Sequence, residues 1–80
     1  MAGTHEVIGR ITIVQEERFR LVTPDGRSLL LTLAHSANVD PADLHRFRQG
    51  GAAVRVVYDG APDLDSGSAR RVEAAGPAPG

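Results

Sequence analysis

SLLLTLAHSANVDPADLHRFRQGGAAVRVVY, residues 28–58, decides the fold. It opens on an apolar strand, Ser28 to His35, in a run that suits a pleated, half-buried surface. A helix start follows. Asp40 is a good N-cap, Pro41 suits the first helical position, and Val39 and Leu44 have the spacing of a hydrophobic staple. Leu44 and Phe47 then share one face of the helix. Gly50-Gly51 stops it, and Ala53 to Tyr58 (AVRVVY) resumes as a β-branched strand. One short helix between two strands is therefore predicted at the centre of the chain.

Working outward, Val7 to Val14 (VIGRITIV) and Arg18 to Thr23 (RFRLVT) read as strands one and two, separated by Gln15-Glu16-Glu17. Pro24-Asp25-Gly26 is a turn: proline presets φ and glycine tolerates positive φ. Asp59 to Gly67 reads as an acidic loop and Ser68 to Glu73 as a fifth strand. Ala69 and Val72 are three apart, so alternation fails there; a bulge or a shifted boundary would each account for it. The GPAPG tail, within 75–80, is expected to be disordered and residues 1–6 to be a flexible start. Three strands, a helix and two strands predict a single mainly β domain over residues 7–74. Its expected form is a small five-stranded OB-like Greek-key barrel with the helix between strands three and four.

The side chains set a register. Ile11 and Ile13 are expected to face the core from strand one, and Phe19 and Leu21 from strand two. Pairing Ile11 with Leu21 and Ile13 with Phe19 needs an odd-length connection, supplied by Gln15-Glu16-Glu17. The same logic pairs Leu21 with Leu31 and Phe19 with Leu33. The outer face then carries three rows: Arg10, Val22 and Leu30; Thr12, Arg20 and Thr32; Val14, Arg18 and Ala34.

The G-x-I of Gly9 and Ile11, the R-F-R-L of Arg18 to Leu21, the D-G of Asp25-Gly26 and the V-R-V-V-Y of Val54 to Tyr58, with a helix before the last, resemble an OB-fold domain. The pattern is similar to stand-alone bacterial OB proteins, among them translation initiation factor one and S1-type domains. An SH3-like barrel is the alternative, but it would not place a full helix there. The resemblance implies that the helix plugs one end of the barrel through Leu44 and Phe47. It also implies that ligands lie on strands two and three and in the loops joining strands one to two and four to five.

Composition narrows the function. The chain has 80 residues, a formal charge of −1, 41% apolar residues and no cysteine, so packing alone must stabilise it. No apolar run approaches membrane-spanning length, and the opening MAGTHEVIG has no secretory pattern; a cytoplasmic protein without membrane contact is expected. His5, His35 and His45 have no nucleophile or acid placed by spacing, and Asp63-x-Asp65-x-Gly67 lacks the remaining ligands of a calcium loop. No enzyme activity, cofactor or metal is expected. The leading reading is a binding or accessory module that meets a protein partner, or a second copy of itself, through Arg10, Arg18, Arg20, Val22, Leu30 and Thr32. The alternative is weak single-stranded RNA or DNA binding through Arg10, Arg18 and Arg20. Acidic loops at Glu16-Glu17 and Asp59, Asp63 and Asp65 disfavour it, as does the lack of an exposed stacking platform. The bland reading is that these arginines pair with Glu16, Glu17 and nearby acids as ordinary solvated surface.

Overall fold

A computed structural model describes residues 3–60 and 65–75. In chain order the elements are β1 (Gly3–Gln15), β2 (Arg18–Val22), β3 (Ser28–Leu33), α1 (Pro41–Gly50), β4 (Val54–Gly60) and β5 (Ser66–Ala74). The strands close into a barrel in the order β1-β2-β3-β5-β4, with β3 and β5 parallel and every other pair antiparallel. This is the expected five-stranded barrel with one helix between strands three and four.

Closure depends on β1, which serves two neighbours. Gly3 to Gly9 pair with β4, and Arg10 to Gln15 pair with β2. The flexible start expected for residues 1–6 is thus, from Gly3 onward, strand. His5 is paired with Tyr58, its ring centroid 5.4 Å from the tyrosine ring, and its Nε2 donates to the Gly60 carbonyl at 3.1 Å. At the other strand ends the acidic loop expected over Asp59 to Gly67 is shorter: Asp59 and Gly60 belong to β4, Ser66 and Gly67 to β5. Asp63 and the tail lie outside the described residues.

The β1–β2 hairpin departs from the expected register. Ile11 faces Leu21 as anticipated, but a bulge at Thr12 then sets Ile13 against Arg20 and Val14 against Phe19. Ile13 is consequently 43% exposed, and Val14 takes its place against the core. The odd residue expected in the connection sits inside the strand instead, leaving a two-residue turn at Glu16-Glu17. A bulge adds local twist, which a closing barrel of short strands needs and a longer loop does not provide. The turn has its own cost: Glu16 holds φ 55, a left-handed conformation unfavourable for a side chain with a Cβ. Glu16→Gly is expected to raise stability by about 0.5–1 kcal/mol, read as a shifted urea midpoint at unchanged slope.

The β2–β3 register is moved by two residues, with Phe19 opposite Leu31 and Leu21 opposite Leu29. An even shift keeps every core residue on the core face and only rewrites its neighbours. Its cause is the tight loop from Thr23 to Arg27. Gly26 N–H donates to the Thr23 carbonyl at 2.9 Å, and Thr23 N–H donates to the Arg27 carbonyl at 2.9 Å. The buried Thr23 hydroxyl donates to the Asp25 carboxylate and accepts from Arg27 N–H at 3.1 Å. That hydroxyl holds the Asp25 carboxyl below the usual aspartate range.

In β5, Arg70 is the extra residue of a bulge, since Val57 faces Arg71 and Tyr58 faces Ala69. Ala69 and Val72 therefore both point inward, and the bulge is the correct reading of their spacing. α1 is capped as its sequence specifies. Asp40 Oδ1 accepts from Asp43 N–H at 3.0 Å, and Asp43 returns the bond to Asp40 N–H at 3.0 Å, a capping box with aspartate in the third position. Gly51 closes the far end at φ 65. Leu44 is fully buried within the core cluster, Val39 and Phe47 pack against that cluster, and α1 lies against β1.

Candidate functional site

The outer surface of β1, β2 and β3 is built by alternation. Phe19 and Leu21 fill the core, which turns Arg18 and Arg20 outward; Leu29, Leu31 and Leu33 do the same for Leu30 and Thr32. The observed pairings give two rows across the sheet. One runs Ile13, Arg20, Leu30, Ser66; the next runs Gln15, Arg18, Thr32, Ser68. Leu30 therefore stands opposite Arg20, not beside Val22, and Thr32 stands opposite Arg18, not Arg20. Ala34 lies past the end of β3 and joins no row.

All residues of these two rows but Ser68 line an open groove of about 450 Å³, together with Phe19 and Leu31. Arg18, Arg20, Leu30 and Thr32, four of the six residues singled out from the sequence, belong to it. Ile13 is the addition the sequence reading missed, because only the bulge turns it outward. Leu30 is 60% exposed, the most exposed large apolar side chain among the described residues. The other two candidates, Arg10 and Val22, line a separate concavity with Ile8, Thr12, Thr23 and Pro24. The single face expected over strands one to three is two adjacent surfaces.

Charge sorts in the same way. Arg27 pairs with Asp65, Arg46 with Asp43, Arg55 with Glu6, Arg70 with Asp59 and Arg71 with Glu73. Arg10, Arg18, Arg20 and Arg48 make no ion pair among the described residues, and three of these four lie on the outer face of β1 and β2. The expected pairing of Arg18 and Arg20 with Glu16 and Glu17 does not form. The acids meanwhile are occupied elsewhere. Asp59 is held by Arg70 and by the Thr4 hydroxyl at 2.8 Å, and these bonds keep its carboxyl below the ordinary aspartate range. Asp65 is bound by Arg27 Nε at 2.8 Å. The outer face of β2 is thus locally cationic in a chain of net charge −1, because no acid among the described residues pairs with Arg18 or Arg20. Glu16 and Glu17 mark an acidic boundary, where they and Gln15 adjoin Arg18 at one end of the groove.

No aromatic side chain is available for stacking on this face. Phe19 is 2% and Tyr58 4% exposed, and Phe47 is packed against the core from the helix. His35 and His45 are exposed, on the loop after β3 and on α1. Among the described residues no group of acids and histidines is placed to hold a metal ion, and no helix is long and apolar enough to cross a membrane. No family model, curated protein or solved structure matches this chain.

Proposed function

We propose that the protein is a small, non-enzymatic binding module of the cytoplasm, built on an OB-type barrel, that meets a protein partner through the groove of β2 and β3. The strand order β1-β2-β3-β5-β4, with a helix between strands three and four, supports the barrel assignment, and this face is where such barrels hold their ligands. The observation that carries the reading is the coincidence of Arg18 and Arg20, both without an ion pair among the described residues, with exposed Ile13 and Leu30 in one concavity. Arginine is enriched at the centres of protein interfaces, and its planar fork suits a desolvated site better than lysine would. Burying Leu30 adds about 2 kcal/mol to any complex that covers it.

A second reading, single-stranded nucleic acid, is favoured by the same arginines and opposed by the buried aromatics. Salt separates the two. Three phosphate contacts to Arg10, Arg18 and Arg20 would give a slope of log K against log salt of about −2, or roughly a twentyfold loss of affinity between 50 and 200 mM. An interface anchored on Leu30 changes little over that range. The test is a photo-crosslinking residue at position 30, with position 71 on β5 as control, in nuclease-treated and untreated cells. One nuclease-resistant, salt-stable protein adduct from position 30 alone is the expected result, and a dimer of the chain itself would make the partner a second copy. Adducts lost on nuclease treatment would assign the groove to nucleic acid.

A further inference from the structure

Arg18 and Arg20 are two residues apart on one strand, so their Cα atoms are separated by roughly 6.6–6.8 Å. An extended peptide repeats its side chains on one face at the same spacing. Two carboxylates at alternate positions of such a chain would meet both guanidiniums at once, each in the paired N–H···O geometry that arginine offers. Val22 follows Arg20 on the same face of β2, and Leu30, opposite Arg20, is diagonal to it across the β2–β3 pair, so the next side chain on the same face of that peptide meets Val22 and Leu30. At the opposite end Glu16 and Glu17 follow Arg18, and a third carboxylate there would be repelled. The groove thus changes character along its length from acidic, through cationic, to apolar.

We propose that the groove of β2 and β3 takes an extended acidic segment of a partner protein, with two carboxylate side chains on Arg18 and Arg20 and an aliphatic side chain against Leu30. The inference rests on the protein-binding reading and adds the chemistry and direction of the partner. A neutral segment would cover two guanidiniums without giving them an acceptor, which costs free energy. A sugar–phosphate strand would satisfy the arginines and leave Ile13 and Leu30 against polar groups. It would also have to cross the acidic turn at Glu16-Glu17 to continue. Only a chain that is acidic and then aliphatic complements all three parts.

The test is an amide NMR titration of the isotope-labelled full chain with three peptides and an oligothymidylate. The first peptide carries Asp-Ser-Asp-Ser-Leu, the second Asn-Ser-Asn-Ser-Leu and the third Asp-Ser-Asp-Ser-Ser. The first is expected to shift Arg18, Arg20, Leu30 and Thr32, and each control to bind about tenfold more weakly. The double change Arg18→Ala and Arg20→Ala should remove the preference of the first peptide over the second, whereas Arg71→Ala, on β5, should leave it intact. Equal affinity of the first two peptides for this groove would overturn the acidic-segment inference and leave the protein-binding reading standing. Tighter binding of the oligonucleotide at the same amides would overturn both. Silence toward all four probes would also overturn the inference, and the fate of the broader reading would then rest on the crosslink from position 30.

Discussion

Gly9→Ala is expected to destabilise the barrel by about 3 kcal/mol, at the upper end of the usual range for overpacking. Gly9 is the last residue of β1 paired to β4, immediately before the strand passes to β2. A Cβ there would lie 2.5 Å from the Val22 carbonyl oxygen, 2.9 Å from its carbon and 3.1 Å from Leu21 Cγ. The Val22 backbone cannot withdraw cheaply, because Val22 is paired to Arg10 on one side and to Ser28 on the other. Leu21 cannot withdraw either, being fully buried. Domains of this size carry a net stability at the low end of about 5–15 kcal/mol, so this single methyl removes a large share of it. Urea unfolding of Gly9→Ala beside Gly3→Ala is the measurement, since a Cβ at Gly3 meets nothing within 4 Å. Gly3→Ala should unfold within about 0.5 kcal/mol of the parent. Equal midpoints for the two variants would mean that β1 does not approach β2 as closely as the barrel requires.

That contact also explains what the sequence could and could not reveal. Gly9 stands out by residue type, but its type says only that backbone comes close, not which backbone. The helix was legible because Asp40, Pro41 and Gly51 act within one turn of themselves, and local rules suffice for local geometry. The buried set was legible because alternation survives any even shift of register: Leu29, Leu31 and Leu33 face inward whichever partner each one meets. For the same reason the neighbours of Leu30 and Thr32 were not legible, since the two-residue move at the Thr23–Arg27 loop leaves no trace in the pattern. The bulge at Thr12 was hidden more completely. It carries no glycine and no break in β-branching, and it turned Ile13 from an expected core residue into part of the groove. Charge was the least legible of all. Arg27 pairs with Asp65, 38 residues away, and Arg70 with Asp59 across the β4–β5 pair, so which arginines stay unpaired depends on contacts that no local rule reads.

Asn38→Ala is expected to cost about 2–3 kcal/mol, although its sequence context marks it only as a loop residue. Parallel pairing of β3 with β5 ends at Leu33 and Ala69, and beyond it β5 has no strand on that side. Asn38 takes the place of one. Its Nδ2 donates to the Val72 carbonyl at 3.0 Å, and its Oδ1 accepts from Val72 N–H at 2.9 Å. Val72 is 1% exposed and its side chain is core, so losing the amide leaves two buried backbone groups without partners at the seam of the barrel. A substitution of the same shape distinguishes this role from mere filling of space. Asn38→Asp keeps the acceptor for Val72 N–H but sets a carboxylate oxygen against the Val72 carbonyl. That repulsion favours the protonated acid, so the folded-state pKa of the new carboxyl must lie above its unfolded value of about 3.9. A raised folded pKa contributes stability that is fully present below the unfolded pKa and lost as pH rises through the folded one. Relative to the parent at the same pH, Asn38→Asp should therefore be destabilised by about 3 kcal/mol at pH 7 and by only about 1 kcal/mol at pH 3, where the acid donates to Val72 as the amide did. The deficit of Asn38→Ala should be the same at both values. Parallel urea titrations of the three proteins at the two pH values decide it: a pH-independent deficit for Asn38→Asp would show that the side chain fills space at the seam without bridging it.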